Sequence, residues 1–189
     1  MDFMDLRVIF QRLSTRQIGG LMFHEQLMNY YQFLGLDGYA KCQQYHYISE
    51  TLSHARLNKF AIEYYSILVR PNQVKDPDLI PSRWYDYIRE LIEDDARKEA
   101  IEFGLGEWIK WESDSCTIYS SAYLDLMNAG EIAAAEFVKE LTMDAEEELT
   151  WAKDEKLKKS AMNYDIVSIL EEQETYEKIF SKKIRKSKE

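Results

Sequence analysis

Apolar residues recur at every third or fourth position through most of this chain, which is the period of one buried face of an α-helix. Only 7 glycines and 3 prolines occur among its 189 residues, so a helix has few places where it must stop. An all-β chain of this length would need many more turn residues. The spacing predicts five long helices, over residues 15–34, 39–68, 94–127, 131–159 and 164–183.

Three breaks separate the first four of these helices. The sequence GLDG at 35–38 and the sequence NAG at 128–130 are tight breaks, so each joins two neighbouring helices into a hairpin. Residues 70–82 hold all three prolines and form one long connection, which leads into a short helix over 82–92. Two hairpins joined by a long crossover outline a four-helix bundle. We therefore predict an all-α fold, a four-helix bundle with an additional C-terminal helix, in a single domain over residues 1–189.

Composition narrows the choice of partners. The net charge of −10 argues against nucleic acid and anionic membranes as general partners, and no apolar run approaches the roughly 20 residues of a membrane span. A basic tail from about residue 178 carries six lysines and arginines. Contact between this tail and DNA is a further hypothesis, weaker than the two functions that the acidic side chains suggest. Cys42 and Cys116 fall inside helical patterns far apart in sequence, as free thiols do in a reducing compartment. We expect a cytoplasmic protein.

The tyrosines that lie off the inward helix faces suggest that the chain forms an oligomer. Exposed aromatic residues at high density are typical of a buried protein interface. We predict a homo-oligomer of at least two chains, formed by antiparallel packing of the first two helices. Four of the 13 tyrosines lie off the predicted inward faces: Tyr31, Tyr45, Tyr65 and Tyr85.

Acidic side chains interrupt the apolar face of each long helix of the predicted bundle. In the third helix, Glu112 lies between Trp108, Ile109 and Cys116 on one face. An unpaired buried carboxylate costs several kcal/mol, so such a residue requires a partner, a proton or a metal ion. The other helices supply further candidates on their predicted inward faces: Glu25 in the first helix, Glu50 and His54 in the second, Asp144 and Glu148 in the fourth.

A simpler interpretation competes with each of these assignments. The chain has 34 acidic residues, so some will fall near any chosen face. Glu25 lies in a polar stretch, and Glu50 with His54 is also the spacing of an ordinary helical ion pair. Glu148 turns to the flank if the buried face of the fourth helix runs through Leu141, Ala145 and Leu149. The agreement among four helices, and no single residue, favours a shared site.

Several stretches resemble ferritins and bacterioferritins. EQLMNYYQFL at 25–34 is similar to the first-helix signature of that family, and YHYISETLSHA at 45–55 is similar to its second helix. WESDS at 111–115 and DAEEELTWA at 144–152 are similar to its third and fourth helices. DLIPSRW at 78–84 is also similar to the crossover. The resemblance covers roughly residues 15–160 at low identity.

The resemblance implies a site for two iron ions in the core of the bundle, with manganese or zinc as alternatives. Carboxylates bridge such a pair, because a bridge offsets the repulsion between the two cations. On this basis Glu50 is the expected bridge and His54 the nitrogen ligand. The full predicted ligand set is Glu25, Glu50, His54, Glu112, Asp144 and Glu148.

The chain also departs from the family pattern. Thr51 stands where the family has the glutamate of its second-helix ExxH motif, which moves the acid to Glu50. Ala145 replaces one ligand of the fourth helix, and Glu148 stands at its histidine position. A bridging carboxylate is therefore either lost or supplied by Asp144 or Glu50 from a shifted position. Leu52 occupies the haem-ligand position of bacterioferritins, so haem is not expected.

Two functions follow. The first is a ferritin-like diiron-carboxylate protein that binds iron and oxidises Fe(II), as a ferroxidase-like oxidoreductase. The second is a ferritin-fold structural or interaction protein with a degenerate, non-catalytic metal site. Thr51 and Ala145 favour the second function, whereas Glu112 on its apolar face and the pairing of Glu50 with His54 favour the first.

Overall fold

A computed structural model describes residues 3–74, 79–80, 84 and 92–187 of the chain. Those residues contain no β-strand, and the all-α prediction is confirmed. The five helices are α1 (Phe3–Phe33), α2 (Asp37–Tyr65), α3 (Asp94–Asn128), α4 (Ile132–Ala161) and α5 (Ile166–Lys186).

The helices pack as two hairpins and one added helix. α1 packs along α2 and α3 packs along α4, and the connection between the hairpins spans residues 66–93. α5 packs mainly against α2, so it covers the outside of the first hairpin. This arrangement confirms a four-helix bundle with a long crossover and an additional C-terminal helix. No helix within the described ranges is both long enough and apolar enough to cross a membrane.

Helix ends differ from the prediction at several points. α1 begins at Phe3, twelve residues before the predicted start, because Leu6, Phe10 and Leu13 continue the buried face upstream. α2 ends at Tyr65, three residues early, where Ser66 takes a left-handed backbone conformation with φ of 54°. α5 extends to Lys186, so most of the predicted basic tail is helical. The short helix predicted over 82–92 lies outside the described residues, apart from single positions within it.

Two apolar clusters form the core, one towards each end of the bundle. The first surrounds Phe23, Leu27 and Trp108, and the second surrounds Leu13 and Leu57. On each of the four bundle helices, the chain passes from one cluster to the other through a short polar stretch at mid-helix. A buried polar layer therefore separates the two clusters, and the candidate site lies in it.

α5 is held at a fixed position against the start of α2. A side chain at Gly38 would place its Cβ only 2.5 Å from the carbonyl oxygen of Gln173, so the two helices approach closely there. Gln173 also accepts a hydrogen bond from the backbone N–H of Tyr39, a donor in the first turn of α2 that has no partner within the helix. Tyr39 and Tyr176 both donate hydrogen bonds to the buried Glu155 of α4. These contacts fix the face that α5 presents to the candidate site.

Three of the four tyrosines that led to the oligomer prediction lie among the described residues, and these three are less exposed than expected. Tyr31 is fully buried in the core, where its ring contacts the ring of Tyr39, so its assignment to an exposed surface was wrong. Tyr45 and Tyr65 are half-buried, and Tyr85 lies outside the described residues. The homo-oligomer itself stays a prediction.

Candidate metal centre

Three helices bring one potential ligand each to the centre of the polar layer. His24 of α1, Glu112 of α3 and Glu148 of α4 each offer one ligand atom, and these atoms all lie within 4.8 Å of one another. His24 Nε2 is 3.6 Å from Glu112 Oε1 and 3.9 Å from Glu148 Oε2. His24 is fully buried, Glu112 is 2% exposed, and the side chain of Glu148 is 16% exposed.

The ring of His24 is oriented by a neighbour on α2. Its Nδ1 lies 2.8 Å from Oε1 of the buried Gln43. A carbonyl oxygen only accepts, so Nδ1 carries the hydrogen and Nε2 keeps its lone pair. Burial, reinforced by the nearby His46, lowers the pKa of His24 to about 3, so the ring is neutral at physiological pH. A neutral imidazole with its other nitrogen bound to an oxygen is the usual state of a metal-ligating histidine.

The two carboxylates hold protons more tightly than free glutamates. Burial raises the pKa of Glu112 well above its ordinary value, and the charge of Glu148 raises it further. Burial also raises the pKa of Glu148 to about 8, with added repulsion from Asp144 and Glu147 on the same helix. Neither group is readily ionised in this layer unless a positive charge joins it.

Glu50 of α2 is the third carboxylate of the layer. With Glu112 and Glu148, it lines a small cavity of about 20 Å³, which is room for about one atom the size of a water molecule. Burial raises its pKa well above the ordinary value, and repulsion from the other two carboxylates adds to the shift. The side chain of Glu50 fits in this place because position 20 of α1 is a glycine: a Cβ there would lie 2.9 Å from Glu50 Oε1.

His46 lies one helical turn before Glu50 on α2. Its Nδ1 is 2.9 Å from Glu148 Oε2, and its ring lies 5.5 Å from the ring of His24. Burial lowers the pKa of His46 to about 3, and the charge of Lys183 acts in the same direction. The layer thus has a second neutral imidazole beside its carboxylates.

Arg16 supplies a permanent positive charge next to the layer. Its guanidinium donates to Ser115 Oγ at 3.0 Å through Nε, donates to the carbonyl of Trp111, and lies 3.5 Å from the centroid of the Trp111 ring. The charge of Arg16 opposes the rise in pKa of Glu50 and of Glu112. Arg16 therefore partly offsets the repulsion among the acids.

Several of these atoms have no hydrogen-bond partner. Within the described part of the chain, these atoms include His24 Nε2, Glu112 Oε1 and both amide atoms of Gln17, and also His46 Nδ1 and Glu148 Oε2, which lie 2.9 Å apart without hydrogen-bond geometry. Leaving a buried polar atom unpaired costs about 1–3 kcal/mol, so their convergence calls for a further group among them. Imidazole nitrogen and carboxylate oxygen are suitable ligands for iron, manganese and zinc. The residues present therefore fit a bound transition-metal ion.

The structure brings only some of the predicted ligands to this place. Glu50, Glu112 and Glu148 meet in the polar layer, and Asp144 is an exposed residue at the rim of their cavity. Glu25 is exposed and does not join the group.

His54 is also outside the ligand group. Its Nε2 lies 2.9 Å from Ser14 Oγ and 3.3 Å from the amide nitrogen of Asn58, so it takes part in a different set of contacts. Glu50 and His54 share one helix face in the sequence pattern, yet only Glu50 reaches the layer.

Sequence reasoning missed both histidines of the layer, although signals for them exist. His24 is next to Glu25, and one residue rotates a helix by about 100°. The buried face that begins at Phe10 and Leu13 continues through Gln17 to His24, so a longer α1 would have selected the histidine. His46 is four residues before Glu50 and therefore shares its face.

The fold and the site together define a ferritin-like four-helix bundle with a histidine–carboxylate layer at its centre. Among solved structures, the chain is similar to a humanized archaeal ferritin, with a TM-score of 0.77 over 94% of this chain and 97% of that one. Sequence identity between the two is 13%, so the similarity establishes the ferritin-like fold. No protein-family model matches the sequence, and no curated protein matches it.

Proposed function

We propose that this chain is a ferritin-like metal-binding protein that holds iron between His24, Glu112 and Glu148 and oxidises Fe(II). The observation that carries the proposal is the meeting of unpartnered donor atoms from three helices, all within 4.8 Å of one another. Glu50, which lines the same cavity as Glu112 and Glu148, and His46, whose Nδ1 lies 2.9 Å from Glu148 Oε2, are the candidates for further ligands. Manganese and zinc suit the same donors and are the alternative occupants.

The residues have distinct parts in this function. His24 offers Nε2 because Gln43 holds its other nitrogen as a donor. Glu112 and Glu148 release their protons when a cation arrives, since the cation replaces the proton as the neutralising charge. Bound Fe(II) would supply the electrons that reduce dioxygen or peroxide.

Location and assembly are also proposed. The free thiols of Cys42 and Cys116 support a cytoplasmic protein, because disulfides are rare in that compartment. The ferritin-like fold supports a homo-oligomer. The net charge of −10 speaks against nucleic acid as a partner.

A ferritin-fold protein with a degenerate, non-catalytic site is the second candidate. Glu25 is exposed and His54 bonds to Ser14, which leaves a smaller ligand group than the resemblance implies. Such a protein would keep the polar layer neutral with shared protons and neutral imidazoles. It would then bind no metal at this position.

Metal binding to the chelator-treated protein separates the two candidates. Titration with Fe(II) under anaerobic conditions, and with Mn(II) and Zn(II), should raise the melting temperature and give a defined stoichiometry by calorimetry. Glu148→Gln should remove most of this effect, whereas Glu146→Gln, a neighbouring exposed acid on the same helix, should retain it. A parent protein whose melting temperature responds to none of the three ions would leave only the second candidate. Consumption of oxygen on mixing with Fe(II) then tests the oxidation step.

A further inference from the structure

A second cavity of about 120 Å³ lies beside the candidate metal centre, between α2, α4 and α5. Its outer end carries the exposed Asp144, Glu147 and Lys183, and its inner end reaches the buried His46 and the partly buried Glu148. Asp144 and Glu148 also line the small inner cavity. The two spaces are therefore neighbours that share walls, one facing the solvent and one within the polar layer.

The inner end of this cavity offers a potential metal-ligand atom, Nδ1 of His46, that makes no hydrogen bond within the described part of the chain. His46 is 7% exposed, and its Nδ1 has no hydrogen-bond partner among the described residues although it lies 2.9 Å from Glu148 Oε2. A cation that enters the cavity would meet a ring nitrogen and a carboxylate oxygen side by side.

Lys183 places a positive charge at the mouth of the same cavity. Its Nζ lies 5.1 Å from the centroid of the Tyr45 ring and 5.4 Å from that of Phe180, and both distances are within the range of a cation–π contact. Phe180 is buried, so α5 holds one of these rings in place. The ammonium group shares the mouth with Asp144 and Glu147.

We propose that this cavity is the route by which divalent cations reach the candidate metal centre, that Asp144 and Glu147 attract them at its mouth, and that Lys183 competes with them there and slows their uptake. This inference rests on the proposed function. It assigns α5 a part in regulating the site, because this helix contributes the positively charged Lys183 to the lining of the cavity. Negative charge that lines a cleft raises the local concentration of cations and their rate of association, and a fixed positive charge lowers both.

Association kinetics of Co(II) with the metal-free, full-length protein test the route. Co(II) quenches tryptophan fluorescence, and the ring of Trp108 lies 5.1 Å from the ring of His46 and 6.4 Å from that of His24, so arrival at the site is visible in stopped-flow mixing. The rate should fall at least about threefold for Glu147→Gln and rise at least about threefold for Lys183→Gln. Both effects should shrink as ionic strength increases.

Two matched controls distinguish an effect of the residues that line the cavity from an effect of net charge on the association rate. Glu146→Gln and Lys182→Gln change the net charge by the same amounts at neighbouring exposed positions that do not line this cavity, and they should change the rate far less. Equal effects of Lys182→Gln and Lys183→Gln, or of Glu146→Gln and Glu147→Gln, would overturn the route and leave the proposed function standing. If the parent binds no Co(II) at equilibrium, the proposed function fails and the route fails with it.

Discussion

Replacing Glu112 by glutamine tests two properties of the polar layer separately: its effect on the stability of the metal-free protein, and its capacity to bind metal. In the metal-free protein the buried carboxylates repel one another, and burial disfavours the ionised form of each by raising its pKa. Glutamine keeps the shape of the side chain, removes one charge, and can donate an N–H to Glu148. We therefore expect Glu112→Gln to stabilise the metal-free protein at alkaline pH and to abolish most of its stabilisation by metal.

The size of the effect follows from the geometry. The ligand atoms of Glu112 and Glu148 lie within 4.8 Å of each other. Two unit charges at that separation repel by roughly 3.5 kcal/mol at an effective dielectric constant of about 20. Proton uptake relieves part of this, so roughly 2–3 kcal/mol remains to be gained at pH 9. In a protein of this length, that corresponds to a rise in melting temperature of roughly 5–10 °C.

The sign of the pH dependence is a stricter test. The pKa of Glu148 is raised from 4.5 to about 8 in the folded protein, so the folded state binds more protons than the unfolded state between these values. The associated stability is present below pH 4.5 and is lost as pH rises through about 8. The advantage of Glu112→Gln over the parent should accordingly be small near pH 5 and large near pH 9.

Thermal denaturation of both proteins across this pH range, with and without Zn(II), measures both effects. Glu146→Gln is the control for removal of an exposed acid. The reasoning is refuted if Glu112→Gln is equally stable or less stable than the parent at pH 9. A metal-induced rise in melting temperature that survives in Glu112→Gln would separately exclude this residue as a ligand.

Three further predictions concern the surroundings of the ligands. Gly20→Ala should displace the carboxyl of Glu50 and weaken metal binding, as measured by calorimetry. Gly106→Ala is the control: its Cβ would meet only the flexible end of a lysine, so it should stabilise helix α3 by about 0.5–1 kcal/mol without altering metal affinity. Equal metal affinities of the two variants would contradict this prediction. Gln43→Leu should reduce metal affinity about 10–100-fold, because His24 loses the partner that fixes its tautomer, and unchanged affinity would show that the ring needs no such partner. The buried histidines oppose the carboxylates, because below about pH 6.5 the unfolded rings bind protons that the buried rings, with pKa values of about 3, do not bind. Urea unfolding should therefore show that His46→Gln gains stability relative to the parent between pH 7 and pH 5, and an equal pH dependence of the two proteins would contradict this.

Periodicity alone could predict the helices and the acid of α3. Trp108, Glu112 and Tyr119 share one buried face, and the apolar residues on both sides of Glu112 fix its phase over several turns. The same method failed on α1, where the predicted helix was short and its face was assigned through Glu25. With a period of 3.6 residues, a shift of one position turns a buried side chain to the flank or to solvent.

Contacts between helices could not be predicted in this way. The bond between His24 and Gln43, and the fit of Glu50 against Gly20, depend on the register of α1 against α2. Register is set by three-dimensional packing, and helical spacing within one segment carries no information about it. For the same reason, nothing in the sequence placed Lys183 of the added helix beside the layer.

The arrangement of the polar layer distinguishes a ligand site from an ordinary buried network. A buried network that serves stability has its donors and acceptors paired, as in the cluster where Glu155 accepts from Tyr39 and Tyr176. The central layer has supporting contacts at its periphery, where Gln43 orients His24, yet the atoms that face inward are left without partners. Apolar residues of similar volume would cost the fold less than such a layer. Where a cation completes a site, we expect paired polar groups around nitrogen and oxygen atoms that converge without partners. The cluster around Glu155, two helical turns after Glu148 on α4, does not show this pattern.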